Sequence, residues 1–521
     1  MHDGYGVVDI ERGYTNHYTT HSPDVKPIAL VIGHIAGMSF APIYGKIAAA
    51  AAPISPDWRR SRSSMTHSRS HGKMPTGKAM RAQITAYVQM IDGGLPDARL
   101  RRVLALALEG VLTSCSPVIA RMASLVPSSV PSAAAQAVAK CFYRFFDNTR
   151  ISRHDIWRGL HAHTRMLVND AHLSVVPVVI DGLNLEKPCA RTMPGLSTIQ
   201  KAAIPNRRRS RVDRTRQDSP ARRKRDTELT RGFPTLACVA LTKTVPALCF
   251  AHLFSYVTTF VSINREILRA IRTTRVVLTG HLIRFIADRE FDDDQRLVWM
   301  AQGGNQFLVR AYHERIIEVY DPQTQTWRRS SLQEYADTLS LPAQFHATFS
   351  HARKERHSLV RLGYGRIRLV TANGLQCWLI VAHAMIFRKP MWLLTDAPIA
   401  ALDDAVALWQ QYRNRPRIED LFRLLQERGF DIEDMRLRSM ARLERLMAVV
   451  WAAAQFLWHL SLTLPEEAQE WLRRLGGKLP QKRATNGLYL LLYGLSALLT
   501  EYLVRLLRAN YRKATLRAMS P

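Results

Sequence analysis

Acidic residues are scarce in this chain of 521 residues, where 43 Asp and Glu stand against 73 Lys and Arg, a formal net charge of +30. Such an excess predicts strong, salt-sensitive attraction to polyphosphate. An anionic membrane surface is the competing partner. The basic residues are mixed with Tyr, Trp and His rather than gathered on one amphipathic helix. Nucleic acid is therefore the favoured partner.

Cysteine is also sparse, and its spacing excludes one class of metal site. The chain has six cysteines and no Cys-x-x-Cys pair. Their scatter is typical of ordinary buried thiols in a reducing compartment, so no zinc site is expected. Any metal should be held by oxygen ligands, which favours Mg²⁺ or Mn²⁺.

Long apolar runs are few. Residues 446–464 carry no formal charge and are long enough to span a bilayer. The run contains Gln455 and His459, so we predict a helix buried on both sides in a large core. The run 27–45 is too broken by Gly and Pro for a signal peptide. We therefore predict a soluble protein.

The first part of the chain divides in two by composition. Residues 1–72 contain Ala-rich and Ser/Arg-rich stretches, for which disorder or a spurious extension is the expectation. Residues 73–170 have apolar residues at helical spacing. We interpret them as a small, basic, DNA-binding domain. Because no helix-turn-helix pattern is present, a helical packing or dimerisation domain stays open.

Alternating strand and helix patterns over 171–311 indicate an α/β sheet. Residues 175–181 and 281–288 each read as an apolar strand ending on an acid, Asp181 and Asp288 respectively. These two carboxylates can meet if the strands are neighbours.

A cationic loop interrupts this sheet pattern at 205–229. It includes Arg207, Arg208 and Arg209, which we predict to face DNA, with a solvated loop as the alternative. Period-two patterns then predict a β-rich insertion over 312–396.

Residues 397–465 are expected to complete the core, and 466–521 to form a C-terminal helical region. On one continuous helix, Tyr412, Arg415 and Glu419 would share a face with Gln426 within about 60°. An acid among guanidinium groups suits a metal ion beside a phosphate backbone. A solvated face held by i,i+4 pairs is the alternative.

Proline complicates this helix. Pro416 lies between Arg415 and Glu419 and would kink the helix or begin it there. In that case Tyr412 and Arg415 leave the shared face.

Asp181, Asp288 and Glu419 together make a coherent metal site. Phosphodiester chemistry uses two divalent ions about 3.5–4 Å apart, and three carboxylates suffice if one bridges both ions. Strand ends beside a helix are rigid enough to hold them.

Other aspartates compete for the second position. Asp292, Asp293 and Asp294 follow closely, and Asp396 ends a strand-like run. We prefer Asp288 because an apolar strand delivers it directly. Asp396 is interpreted as a helix-capping or turn residue.

These motifs resemble a known family. The sequence is similar to DDE transposases of the IS4 type in three segments, namely Val179-Ile180-Asp181-Gly182, Phe285-Ile286-Ala287-Asp288-Arg289, and a Tyr-x2-Arg-x3-Glu-x6-Lys pattern that ends here on Gln426. The resemblance implies an α/β fold: a ribonuclease-H-like mixed sheet flanked by helices, with a β-rich insertion and an N-terminal helical domain.

The resemblance also implies a chemistry. Asp181, Asp288 and Glu419 would ligate Mg²⁺, with Mn²⁺ as a substitute. Hydrolysis would release a 3′-hydroxyl at an insertion-sequence end, and that hydroxyl would attack target DNA in line.

The partners implied are double-stranded DNA, as transposon ends and as target, and a second copy of the chain in a dimeric or larger synaptic complex. Tyr412, Arg415, Gln426 and Arg289 would contact the DNA. The protein would be cytoplasmic, associated with the bacterial nucleoid and not with a membrane. Two rivals remain: a catalytically impaired relic that only binds DNA, and a ribonuclease-H-like nuclease without a transposition role.

Overall fold

Among the residues that the structure describes, five α-helices precede the first strand, and their apolar residues recur every three or four positions. In the second of them Leu104, Leu108 and Val111 are fully buried. The five are α1 (Gly77–Ile91), α2 (Ala98–Ser114), α3 (Ile119–Ser124), α4 (Ala134–Asp147) and α5 (Arg153–Ala171). The helical content predicted for this region is present; its role in DNA binding stays a prediction.

The computed structural model describes a defined part of the chain. The described residues are 74–126, 134–190, 192–200, 229–258, 262–312, 314–321, 323–351, 354–372, 374–426, 429–477 and 487–519. They belong to one compact unit, residues 72–521. The predictions for 1–72 and for Arg207, Arg208 and Arg209 lie outside the described residues.

Strands dominate the middle of the chain. They are β1 (Val175–Glu186), β2 (Ser197–Gln200), β3 (Leu229–Leu241), β4 (Pro246–Leu253), β5 (Leu282–Ala287), β6 (Gln306–Arg310), β7 (Ile316–Asp321), β8 (Thr326–Ser331), β9 (Ala343–His351), β10 (Lys354–Leu369), β11 (Leu375–Ala384) and β12 (Met391–Thr395).

These twelve strands form one sheet in the order β2-β3-β1-β5-β6-β12-β11-β10-β7-β8, with β4 also paired to β3 and β9 to β10. Strands β1, β5 and β6 are parallel, and the remaining pairings are antiparallel. The predicted mixed α/β class is confirmed. The β-rich region extends the first half of the sheet, because β12 pairs with β6.

Eight further α-helices lie in the described part of the chain after β1. They are α6 (Ile263–Val277), α7 (Asp294–Ala301), α8 (Leu332–Thr338), α9 (Leu402–Tyr412), α10 (Arg417–Gln426), α11 (Met440–Thr463), α12 (Glu466–Gly476) and α13 (Leu488–Met519).

Helix α11 contains the apolar run predicted as a core helix. Of its apolar window 78% is buried. Its buried Gln455 accepts a hydrogen bond from the Leu248 N–H (2.8 Å) and donates to the Pro246 carbonyl (3.3 Å). The segment Leu488–Arg512 of α13 is also long and apolar enough to cross a bilayer by length and composition, with 39% buried.

Two sequence predictions need correction. Strand β1 does not end at Asp181 but continues to Glu186, because β3 remains its partner beyond that point. The segment from Tyr412 is not one helix, since α9 ends at Tyr412 and α10 begins at Arg417. The physical reason is Pro416, which cannot donate a backbone hydrogen bond and instead accepts from Glu419 N at the start of α10.

Replacing Gln455 with Leu should destabilise the chain by about 2 kcal/mol, because it removes the hydrogen-bond partner of the buried Leu248 N–H and of the partly buried Pro246 carbonyl at the start of β4. Chemical denaturation measures the change. Gln410→Leu on the exposed side of α9 is the matched control and should stay within about 0.5 kcal/mol of the parent. Equal effects of both changes would contradict this role for Gln455.

Candidate active site

The register of β1 and β5 places two predicted carboxylates side by side. Val178 pairs with Phe285 and Val179 with Ile286, in parallel. Continuing that register by two residues sets Asp181 opposite Asp288. Adjacent strands are about 4.8 Å apart, so the two side chains can share one ligand.

One guanidinium joins both aspartates to the predicted glutamate. Arg415 Nη2 lies 2.8 Å from Asp181 Oδ2 and 3.6 Å from Asp288 Oδ2, and Nη1 lies 2.9 Å from Glu419 Oε1. The structure therefore brings together all three residues predicted as catalytic. They come from the middle of β1, the end of β5 and the first turn of α10.

Burial at this cluster is graded. The side chains of Arg415 and Asp181 are 14% and 16% exposed, against 31% for Asp288 and 39% for Glu419. Burial raises the pKa of Asp181 from 3.8 to about 6, although the Arg415 charge works to lower it. Burial lowers the pKa of Arg415, but the carboxylates around it outweigh burial and the net pKa is raised. The cluster thus favours a cation among its oxygens.

The break between α9 and α10 is what carries Arg415 into the cluster. Arg415 N donates to the Tyr412 carbonyl (2.9 Å), and Arg417 N donates to the Asn414 carbonyl (3.1 Å), so the connection is a pair of tight turns. Tyr412 and Arg415 therefore lie outside α10, as predicted for a helix that begins near Pro416, but Arg415 still contacts Glu419.

The turn between α9 and α10 also contacts strand β9, in the part of the sheet formed by β7 to β12. The Arg413 guanidinium carbon lies 4.7 Å from the Phe349 ring centroid and 4.9 Å from that of Trp409. Arg413 also donates to the Thr348 carbonyl of β9. Sequence reasoning did not single out this arginine, and only its aromatic neighbours in space identify its role.

Two hydrogen-bonding side chains join the end of β1 to the last residue of α10 and to the segment that follows α10. Gln426 Nε2 donates to the Asn184 carbonyl at 2.7 Å. Buried Lys187 donates to the carbonyls of Glu433 (2.6 Å) and Met435 (2.9 Å), and burial lowers its pKa to about 8. Both contacts fix Glu419 relative to Asp181. Sequence reasoning missed Lys187, since nothing marks a lysine after a strand as buried.

The remaining predicted DNA-contacting residues lie beside the cluster. Tyr412 Oη donates to Asp288 Oδ1 at 3.5 Å, and burial, with the Asp288 charge, raises the pKa of Tyr412. Arg289 is exposed directly after Asp288, with its guanidinium carbon 5.9 Å from the Tyr312 ring centroid. DNA contact by Tyr412, Arg289 and Gln426 stays a prediction.

The rival aspartates have structural partners. Buried Asp292 accepts from Arg315 Nη2 (2.6 Å) and from Tyr312 N (2.7 Å), and Asp294 also pairs with Arg315. Asp293 caps the start of α7.

Asp396, which we predicted to be a helix-capping or turn residue, does not cap α9, whose N-cap is Ala401. Asp396 Oδ1 accepts from Phe307 N (2.7 Å) and so joins the end of β12 to β6, whereas α9 begins six residues later at Leu402.

The residues that could hold a metal are the three carboxylates. Over the described ranges, no group of three or more His, Cys, Asp or Glu is arranged as a ready-made metal site. Asp181, Asp288 and Glu419 instead surround Arg415, whose charge lies where their oxygens converge.

No protein-family model matches the sequence, and no curated protein matches it. Among solved structures, the chain is similar to the piggyBac transposase in a cryo-EM structure of its synaptic complex with hairpin DNA. The identity is 11% and the TM-score 0.35, over 87% of this chain and 79% of that chain. A likeness at so low a TM-score is not evidence of a shared function.

Asp181→Asn should change how stability depends on pH. Because the folded pKa of Asp181 is raised to about 6, its contribution to stability is fully present below the unfolded pKa of 3.8 and lost as the pH rises through about 6. In buffer that contains a metal chelator, lowering the pH from about 7.5 to about 5 should raise the free energy of unfolding of the parent, relative to that of Asp181→Asn, by roughly 1 kcal/mol. Denaturation at each pH measures this difference. A difference that is constant with pH would contradict the assignment.

Proposed function

We propose that the chain is a DDE transposase of the IS4 type, which cleaves DNA strands at insertion-sequence ends and transfers them into target DNA. The observation that carries this proposal is the convergence of Asp181, Asp288 and Glu419 on one guanidinium. Three acidic side chains from separate elements repel one another, so bringing them together favours the binding of a cation among them. Such clusters are typical of functional sites.

The strand order supports a ribonuclease-H-like core. Strands β4-β3-β1-β5-β6 form three antiparallel strands followed by two that are parallel to β1. In that arrangement Asp181 lies on the central strand and Asp288 at the end of its parallel neighbour. Strands β7 to β12 would then be the insertion that precedes the glutamate helix.

The donor set fits Mg²⁺, with Mn²⁺ as a substitute. All three candidate ligands are carboxylates, the donors that hard divalent cations prefer, and Arg415 already places positive charge among them. When bound, a pair of divalent ions supplies activation of the attacking oxygen and stabilisation of the leaving oxygen.

The chain's own side chains would position the DNA. Arg415 has the fork geometry that binds a phosphate through two donors, and it can turn from the carboxylates to the scissile phosphate. Arg289 and Tyr412 flank Asp288 and would contact DNA bound at the carboxylates. The net charge of +30 would draw in the transposon ends and the target. Water would attack the scissile phosphate and displace the 3′-oxygen of the insertion-sequence end as a 3′-hydroxyl. That hydroxyl would then attack a phosphodiester of the target strand, forming a new P–O bond as the target's own 3′-oxygen leaves.

The setting we propose is a dimer or larger complex that pairs two DNA ends, in the cytoplasm of a bacterium. The rival is a relic that binds DNA without cutting it. Its support is Gln426, which stands where the family has a lysine and whose amide is already bonded to the Asn184 carbonyl.

Glu419→Gln should lower Mg²⁺-dependent nicking of DNA that carries the element's own ends by at least about a hundredfold. Loss of a residue that merely supports a ligand already costs 10- to 100-fold, and this change removes a ligand itself. A gel assay of nicked product measures the loss. Asp420→Asn is the matched control, because Asp420 is the adjacent carboxylate on α10, pairs with Arg423 and is 72% exposed. Binding of the ends without nicking by the parent chain would favour the relic.

Arg415→Gln should make the chain bind divalent cations at least about tenfold more tightly in the absence of DNA, because it removes a positive charge from among the carboxylates. The rise of the unfolding midpoint with Mn²⁺ concentration reports this affinity without any cleavage step. Arg417→Gln, an exposed arginine two residues on, should leave it unchanged. Equal Mn²⁺ dependence in the parent and Arg415→Gln would count against a cation site at these carboxylates.

A further inference from the structure

We infer that one face of the sheet region formed by β7, β8, β10 and β11 is a second contact surface for the backbone of duplex DNA. This outer face consists of Tyr320, Trp327, Tyr364, Trp378, Arg366 and Arg368, on strands β7, β8, β10 and β11. The inference rests on the proposed function only for the choice of DNA as the polyanion.

Strand register puts these side chains on one face. Arg366 pairs with Trp378 across β10 and β11, and Tyr320 pairs with Trp327 across β7 and β8. Arg368 pairs with Glu318. Because side chains alternate along a strand, residues 364, 366 and 368 of β10 point to the same side.

The opposite face of β10 is covered by α8 and the residues after it. Gly363 lies against the Ser340 carbonyl, and Gly365 lies against the Tyr335 ring, so closely that a side chain at either position would collide. The two glycines thus let that side of the strand pack. On the outer face, by contrast, Arg366 is exposed and Tyr364 and Trp378 are half-buried.

The arginines of the outer face are ordered by aromatic rings. The Arg368 guanidinium carbon lies 4.6 Å from the Trp327 ring centroid, and that of Arg366 lies 5.3 Å from the Tyr320 centroid. Stacking fixes each guanidinium plane.

Arg368 is bonded through Nε and Nη2 to Glu318, so the phosphate-binding charge of the face comes mainly from Arg366 and Arg329. Arg366 is bonded through Nη2 to the uncharged Gln376 (2.5 Å), so its charge is not neutralised there.

Charge and geometry select the partner. Exposed Arg329 lies opposite Glu318 on the same face, so three arginines accompany one acid. Because guanidinium groups already cover the Tyr320 and Trp327 rings, these rings are not free for bases, as a single-strand platform would require. The surface therefore fits phosphates rather than bases.

The outer face also lies within reach of a duplex held at the carboxylates. Strand β10 is four strands from β5, and β8 is six strands from it. At about 4.8 Å per strand this is roughly 20–30 Å along the sheet, less than the 34–36 Å of one DNA turn.

The test compares two double variants that change the same strands on opposite faces. Arg329→Gln with Arg366→Gln alters the outer face. Arg328→Gln with Arg361→Gln removes two exposed arginines of β8 and β10 whose side chains lie on the opposite face of the sheet. Arg328 pairs with Val319, and Arg361 pairs with His383. Anisotropy of a labelled duplex of arbitrary sequence, over a series of salt concentrations, measures affinity. Each outer-face arginine that no longer binds a phosphate should flatten the slope of log affinity against log salt by about 0.9.

We expect the outer-face variant to bind the duplex at least about tenfold more weakly than the control variant, with the flatter slope. If the double variant folds poorly, Arg329→Gln alone is the substitute, because Arg329 lies at the end of the face and outside the ring stacks described above. It should give a smaller loss of affinity in the same direction. Equal affinities of the two double variants, or a loss confined to single-stranded DNA, would overturn the inference. Nicking by the parent chain decides the proposed function separately, because the outer face can bind DNA whether or not the carboxylates cut it.

Discussion

The structure depends on one electrostatic arrangement, a guanidinium held among three carboxylates. Without Arg415, the negative charges of Asp181, Asp288 and Glu419 would oppose one another in a partly buried site, at a cost that scales inversely with the local dielectric. Arg415 offsets that repulsion within the folded chain. A divalent cation can do the same, which links the architecture of the site to the chemistry that we propose.

Much of the surrounding fold serves to keep these four side chains in place. Parallel pairing of β1 with β5 sets the two aspartates side by side, and the tight turns around Pro416 direct Arg415 and Glu419 to the same point. Gln426 and Lys187 hold the end of β1 to the segment that follows Glu419. Arg413 joins the turn between α9 and α10 to β9, so strands from both the first and the second part of the sheet support one site.

The sequence was sufficient to predict the mixed α/β class and the proximity of Asp181, Asp288 and Glu419, because apolar strands and a charged helix leave strong periodic signals. It was not sufficient for the backbone between Tyr412 and Arg417. Helical geometry alone predicts that a break there separates Arg415 from Glu419, whereas the turn brings them to 2.9 Å. The end of β1 was also misplaced, since pairing with β3 extends the strand past Asp181. Such outcomes depend on tertiary pairing, which local patterns do not encode.

A crystal structure of the chain soaked in Mn²⁺, with anomalous scattering used to locate the metal, would test directly whether these carboxylates hold a divalent cation. We predict anomalous peaks within bonding distance of Asp181, Asp288 and Glu419, about 2.0–2.2 Å, with Arg415 displaced from the carboxylates. Absence of a peak there at saturating Mn²⁺, with Arg415 still bonded to all three, would contradict this prediction.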